Sequence, residues 1–210
     1  DLPVAQGVVC MPMSEVEDGE SPEFQNTYSQ KEWVGELNES YHQDGMFLKI
    51  ARNIKLDRPI VIHHLTDGID VASFPRHFVR VEEGGEVDVV IWCSSTKASS
   101  GMYNGLLEAS IAPNASFMLE KVCNEDGEIY HFSHENIIQE RDSRFMMHTF
   151  TVKGHWVRNE LEIASRGKGT DSIFNGAYLP TENEHVDNHT TMDHTSSDGT
   201  SSELYRGIMY

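Results

Sequence analysis

From Met46 onward, apolar and polar residues alternate in short runs, and each run stops at Gly, Asn, Asp or Pro. The runs "HFVRV", "EVDVVIW", "FMLEKV" and "NELEIA" carry β-branched or aromatic residues in near-alternation, the period at which strand side chains return to one face. Between such runs lie "EEGG", "APNA", "EDGE", "VKG" and "SDGT", whose residue types accept tight turns. No helical period intervenes to build a doubly wound sheet. The pattern therefore predicts an all-β fold, a β solenoid or a sandwich, and periodicity alone does not separate the two.

A different pattern comes first. In "SQKEWVGELNESYHQDG", Ser29 is placed as an N-cap and Glu32 as its capping-box partner, while Trp33, Leu37 and Tyr41 form an apolar stripe that ends near Gly45. This predicts a short amphipathic helix. The acidic segment before it, "EVEDGESPEFQNTYSQ", contains Pro22 and reads as a surface loop. The chain thus divides into residues 1–45, an N-terminal strand, acidic loop and short helix, and residues 46–210, a single β core.

Charge narrows the function classes. With 34 Asp and Glu against 16 Lys and Arg, the formal net charge is −18, and a surface of that sign repels phosphate backbones and anionic headgroups. The expected partners therefore include no nucleic acid and no membrane. No run approaches the roughly 20 apolar residues that span a bilayer, and "DLPVAQGVVC" lacks the basic-then-apolar order of a secretory signal. Cys10, Cys93 and Cys123 are odd in number and far apart, which points to reduced thiols in a cytosol-like compartment and leaves no four-thiolate site within one chain. Sequons at Asn38, Asn114 and Asn188 are read as chance matches in a Ser/Thr-rich chain.

Candidate chemistry concentrates in "EHVDNHTTMDH". On a strand His185, Asp187 and His189 share one face with Asp193, and His194 falls on the other. Imidazole and carboxylate suit Zn or Fe, but residues two apart on a strand are about 7 Å apart, too far to share an ion without a bulge. The face is read as a hydrogen-bonded ladder or a solvated wall, with a metal-dependent enzyme as the rival. His63 and His64 are adjacent and point to opposite faces, so they fail the H-x-H spacing of a cupin, and His77 is placed at the opening of a strand. Cys93, inside "VVIWCSS", is read as a buried thiol. Acid pairs such as Glu82 with Glu83, or Asp187 with Asp193, would suit a polysaccharide-cleaving β-helix, but acids are too abundant for a pairing to weigh. There is no G-x-S-x-G elbow, no phosphate loop ("GKGTD" at 167–171 lacks its first Gly) and no H-E-x-x-H. No catalytic, cofactor-binding or metal residue is assigned.

The order of the blocks resembles the SufB/SufD family of iron–sulfur cluster assembly proteins. The matching stretches are "LPVAQGVVCM", "LDRPIVIHHL", "VEEGGEVDVVI", "APNASFMLEKV", "GHWVRNELEIASRGKGTDSIFNGAYL" and "HVDNHTTMDHTSSDGTSSELYRGIM". The last is the most specific: Asp187, Thr190, His194, Ser202, Tyr205, Arg206, Gly207 and Ile208 fit the family's ending, and they lie closer to its SufD branch than to SufB. The resemblance implies a right-handed parallel β-helix. It also implies a non-catalytic scaffold subunit of the SufBCD complex, partnered by a SufB-like sibling and a SufC-like ATPase, in the cytoplasm or a plastid stroma. Iron or a cluster would be handled by the complex, with no cofactor assigned to this chain. Family members continue past "YRGIM" into further coils and a helical region that docks the ATPase, so no family site residue carries over. Under this reading Gly84, Gly85, Gly154, Gly167 and Gly199 mark corners where the chain changes direction and where φ > 0 is easily met. The edge at Tyr210 is expected to seek further coils, a sibling or a second copy, giving a homodimer or a self-assembling solenoid as the alternative.

Overall fold

A computed structural model describes residues 6–16 and 33–209. Two sheets face each other. One runs β1 (Val8–Pro12), β2 (Met46–Ile50), β5 (Arg76–Val81), β7 (Ser100–Ile111), β9 (Glu128–Gln139), β11 (Trp156–Ser165) and β13 (His185–His194), with β4 (Val71–Ser73) also on β7. The other runs β3 (Ile60–Thr66), β6 (Glu86–Ser95), β8 (Ser116–Glu125), β10 (Arg144–Lys153), β12 (Asp171–Tyr178) and β14 (Thr200–Gly207). From β5 onward, consecutive strands alternate between the sheets, and each pairs in parallel with the strand two places on. That connectivity belongs to a solenoid and not to a sandwich of hairpins. The described residues form a parallel β-helix of about six turns with one short α-helix. Among the described residues, only the pairing of β1 with β2 is antiparallel.

Alternation in the sequence becomes the inside and outside of the coil. Along β6 every second residue is buried, and Val87, Val89 and Ile91 point inward. Strict parallel register then stacks like on like: Val87, Phe117 and Phe145 in one column, and Val89, Leu119, Met147 and Phe174 in the next. Ala109, Ile137 and Ile163 face them from the other sheet. Each such side chain taken from water contributes about 1.5–3 kcal/mol.

The corners use more than glycine. Of the five glycines singled out, Gly84 alone has positive φ (67°). One corner is instead a column of left-handed residues contributed by successive coils: Asn53, Gly84, Asn114, Asp142, Gly169 and Asp198. Asn and Asp accept this backbone through local side-chain bonds. Glycine enters where the stack is too tight, since a Cβ on Gly84 would lie 2.4 Å from Asn53 Oδ1. Gly167 is needed for close approach, because a Cβ there would stand 2.0 Å from the Arg141 nitrogen.

The helix α1 (Trp33–Tyr41) forms, but it docks by another face. Trp33 and Tyr41 are exposed, and Val34, Gly35 and Asn38 are buried. Polar bonding outweighs the apolar stripe: Asn38 Nδ2 donates to the Pro75 and Asn104 carbonyls at 3.0 and 2.8 Å, and Asn104 Nδ2 donates to the Val34 carbonyl at 3.1 Å. Ser29 and Glu32 lie outside the described residues. Among the described residues, no helix is long and apolar enough to cross a membrane. β13 and β14 are the outermost strands of their sheets, and their residues are mostly exposed or half-buried.

Candidate functional site

The lumen is apolar at one corner and polar at the other. Parallel register stacks His64, Cys93, Cys123 and Thr151 on successive coils of one sheet. From the other sheet, Tyr103 and His131 form a second stack, with ring centroids 4.6 Å apart and planes 21° from parallel. Spacing within a strand explains the first wall, because Lys121, Cys123 and Glu125 stand two apart on β8 and all point inward. His131 then returns toward them from β9, after the turn at Asp126 and Gly127.

Three ligand-type side chains meet here. His131 Nδ1 lies 2.9 Å from Glu125 Oε2, and Cys123 Sγ lies 3.4 Å from the same oxygen and 4.0 Å from Nδ1. Among the described residues, no other group of three or more His, Cys, Asp or Glu brings its ligand atoms within 4.8 Å of one another. All three residues are at most 2% exposed. Burial pushes the Glu125 carboxyl up, yet the His131 charge and the hydrogen bonds from His131 and Cys123 outweigh it and hold Glu125 below the usual carboxylate range. Burial raises the Cys123 thiol far above its ordinary value, and the Glu125 charge adds to the effect. Glu125 Oε1 and His131 Nε2 are buried without a hydrogen-bond partner, a condition that costs about 1–3 kcal/mol per group.

Two further groups close the nest. His77 Nδ1 accepts from the Met46 backbone N–H at 3.1 Å, which leaves its proton on Nε2, 3.0 Å from His64 Nε2. His77 is therefore the donor to His64, and both rings are neutral. Burial lowers His77 to about 3, helped by His64, and lowers His64 to about 4, helped by His131 and His63. One layer deeper, Lys121 Nζ donates to Glu135 at 2.9 and 3.1 Å and to Ser133. Ser133 Oγ donates to Asn159 Oδ1 at 3.2 Å and Asn159 Nδ2 to Asn188 Oδ1 at 2.8 Å, a polar ladder crossing three coils.

The face singled out in the sequence lies elsewhere. His185, Asp187 and His189 share one outward face of β13, as alternation requires. They do not converge. Asp187 Oδ2 accepts from Arg158 Nη1 at 2.7 Å, His189 Nε2 is 3.3 Å from Asp187 Oδ1, and the His185 ring lies against Trp156 with centroids 4.3 Å apart. A cation already occupies the carboxylate. Asn188, between them, points inward and ends the ladder, so "VDNHTTMDH" is wall. Thr190, outside the metal reading, donates to Glu203 at 2.7 Å, and His194 lies 3.1 Å from Ser201 Oγ. In the family-like ending, Tyr205 lies over Gly176 and Tyr178 over Gly207, where a Cβ would come within 2.2 and 2.3 Å of the rings. His63 faces out onto Trp92 while His64 faces in, the opposite directions expected of adjacent residues, and His77 is the second residue of β5. Cys93 is buried, 1% exposed.

Sequence reasoning passes over Cys123, Glu125 and His131. The available signal is the C-x-E pair on one strand face, followed past an Asp-Gly turn by an inward histidine.

Comparison with known proteins gives one consistent result. The family described as "SUF system FeS cluster assembly, SufBD core domain" matches residues 64–210, more than two-thirds of the chain. The iron–sulfur cluster assembly protein SufD of Escherichia coli (strain K12) is 23% identical over 178 residues, 82% of this chain and 42% of the relative. An iron–sulfur cluster assembly SufBD family protein of Staphylococcus epidermidis is 23% identical over 107 residues, covering 48% of this chain and 23% of its own length, as is one from Staphylococcus haemolyticus. The chain spans less than half the length of the curated relatives it matches. Coiled parallel sheets, inward columns and this family match together show that the chain belongs to the SufB/SufD core family of the SUF iron–sulfur cluster assembly system.

Proposed function

We propose that this chain is the β-helix core of a SufD-type scaffold subunit, non-catalytic itself, which works with a SufB-like sibling and a SufC-like ATPase in the cytoplasm or a stroma of the same character. The observation that carries the reading is the family match over residues 64–210, which includes the ending from Asp187 to Ile208 on β13 and β14. The sequence holds no Gly-rich phosphate loop, so the energy of assembly comes from ATP hydrolysis on the partner. Docking of that ATPase belongs to a region outside residues 1–210.

The test is co-purification of the tagged full-length protein with the SufB-like and SufC-like proteins of the same genome, followed by native mass measurement. A defined heteromeric complex is expected, and it should lose the ATPase when only residues 1–210 are kept. A full-length protein that runs alone in the presence of both partners would overturn the reading.

A further inference from the structure

We propose that Cys123 Sγ, Glu125 Oε2 and His131 Nδ1 form a three-ligand site, inside the lumen, for a divalent transition-metal ion of borderline softness such as Zn2+ or Fe2+. The inference is independent of the scaffold role and rests on the lumen alone.

Geometry is the first support. A tetrahedral ion with M–S of about 2.3 Å and M–N and M–O of about 2.1 Å requires ligand–ligand edges of about 3.4 Å for N–O and about 3.6 Å for S–N and S–O. The three atoms stand at 2.9, 4.0 and 3.4 Å respectively, so side-chain shifts of about half an ångström or less close the site.

Charge is the second. A thiolate, a carboxylate and a neutral imidazole sum with a divalent ion to zero, and a neutral assembly is the form that burial tolerates. Glu125 Oε1 and His131 Nε2 are buried in the lumen without a hydrogen-bond partner, so the three side chains do not satisfy one another. Binding is a ligand exchange without redox change. The Cys123 S–H bond breaks and its proton passes to solvent; the proton that His131 Nδ1 directs at Glu125 also leaves that nitrogen, so that the freed Sγ and Nδ1 lone pairs form the bonds to the metal and the imidazole is left neutral with its N–H on Nε2. The Cys123 thiol also lies 3.4 Å from the Lys153 carbonyl. Glu125 directly precedes the turn at Asp126 and Gly127, which places the trio at the end of β8. Cys93, one coil below, has its sulfur engaged by the Tyr103 hydroxyl and is not a ligand in this arrangement.

The probe is Co2+, titrated under reducing conditions into the metal-free full-length protein. The expected result is a thiolate-to-cobalt charge-transfer band in the near ultraviolet with the visible ligand-field bands of a four-coordinate ion, saturating at one equivalent. Cys123→Ser is expected to abolish the charge-transfer band, His131→Gln to weaken binding at least tenfold, and Cys93→Ser and His189→Ala to leave the spectrum unchanged. No charge-transfer band in the wild-type protein overturns the proposal, whether or not the variants fold. So does a band that survives Cys123→Ser or disappears with Cys93→Ser. Elemental analysis of protein purified without added metal then separates zinc from iron.

Discussion

Two clusters of the same residue types sit on opposite sides of the coil wall. On the outer face of β13, His185, Asp187 and His189 follow one another at strand spacing, and each has found a neighbour on its own surface: Trp156, Arg158 and Asp187. In the lumen, Cys123 and Glu125 follow the same spacing, but a third side chain, His131, comes back at them from the opposite sheet. Side chains along one strand face diverge, so a strand alone makes a wall. A corner of the helix turns two walls toward each other and makes a site. The medium differs as well: outside, water screens whatever the groups do, whereas inside every charge must be matched within the lumen.

Perturbing each side in turn sharpens the contrast. The largest effect is expected at Lys121, where Lys121→Met leaves Glu135 as an uncompensated buried carboxylate and should cost about 3–5 kcal/mol in chemical denaturation. Acid comes next. His64 and His77 are held neutral in the folded chain, at about 4 and about 3, against an ordinary value of 6.5. Their folded values are depressed, so the unfolded chain takes up protons first as pH falls. Stability is full above 6.5 and declines toward about 4 and then about 3, with the pair costing up to about 3 kcal/mol by about pH 5.5. Glu125, also depressed, acts in the same direction at lower pH. Urea midpoints across that range check the sign, and a double His64→Gln, His77→Gln variant should flatten the profile. Third, Gly105→Ala places a Cβ 2.6 Å from the Tyr103 hydroxyl and displaces the ring that stacks on His131; about 1–3 kcal/mol is expected in the same assay. Smallest are His185→Ala and His189→Ala on the outer face, each within about 0.5 kcal/mol. If an outer-face change rivals Lys121→Met, the division between wall and site fails.

The fold was largely legible because its rules are local. Near-alternation set strands and faces, and "EEGG", "APNA" and "SDGT" do fall between β5 and β6, β7 and β8, and β13 and β14. The helix was legible as a helix but not in its docking face, because Asn38 donates to the Asn104 carbonyl and Asn104 to the Val34 carbonyl, bonds that no apolar stripe announces. Asn114 and Asp198, in the turns "APNA" and "SDGT", hold the left-handed column with Asn53 and Asp142, whose neighbours carry no comparable turn signal in the reading. The site was the least legible part. Cys93 lies beside Cys123, and Tyr103 over His131, only through the register of neighbouring coils, a quantity no single strand carries. Two of the three scattered cysteines, Cys93 and Cys123, are neighbours one coil apart.

Thiol protection tests the central claim most directly, namely that the chemistry-bearing residues are enclosed in the lumen. The native full-length protein is treated with iodoacetamide under reducing conditions, and labelling is followed residue by residue in digested peptides. Cys10, half-buried on β1, should label first, while Cys93 and Cys123, each 1% exposed, should stay protected until denaturant is added. Labelling of Cys123 in the native protein at the rate of the unfolded chain would contradict the account.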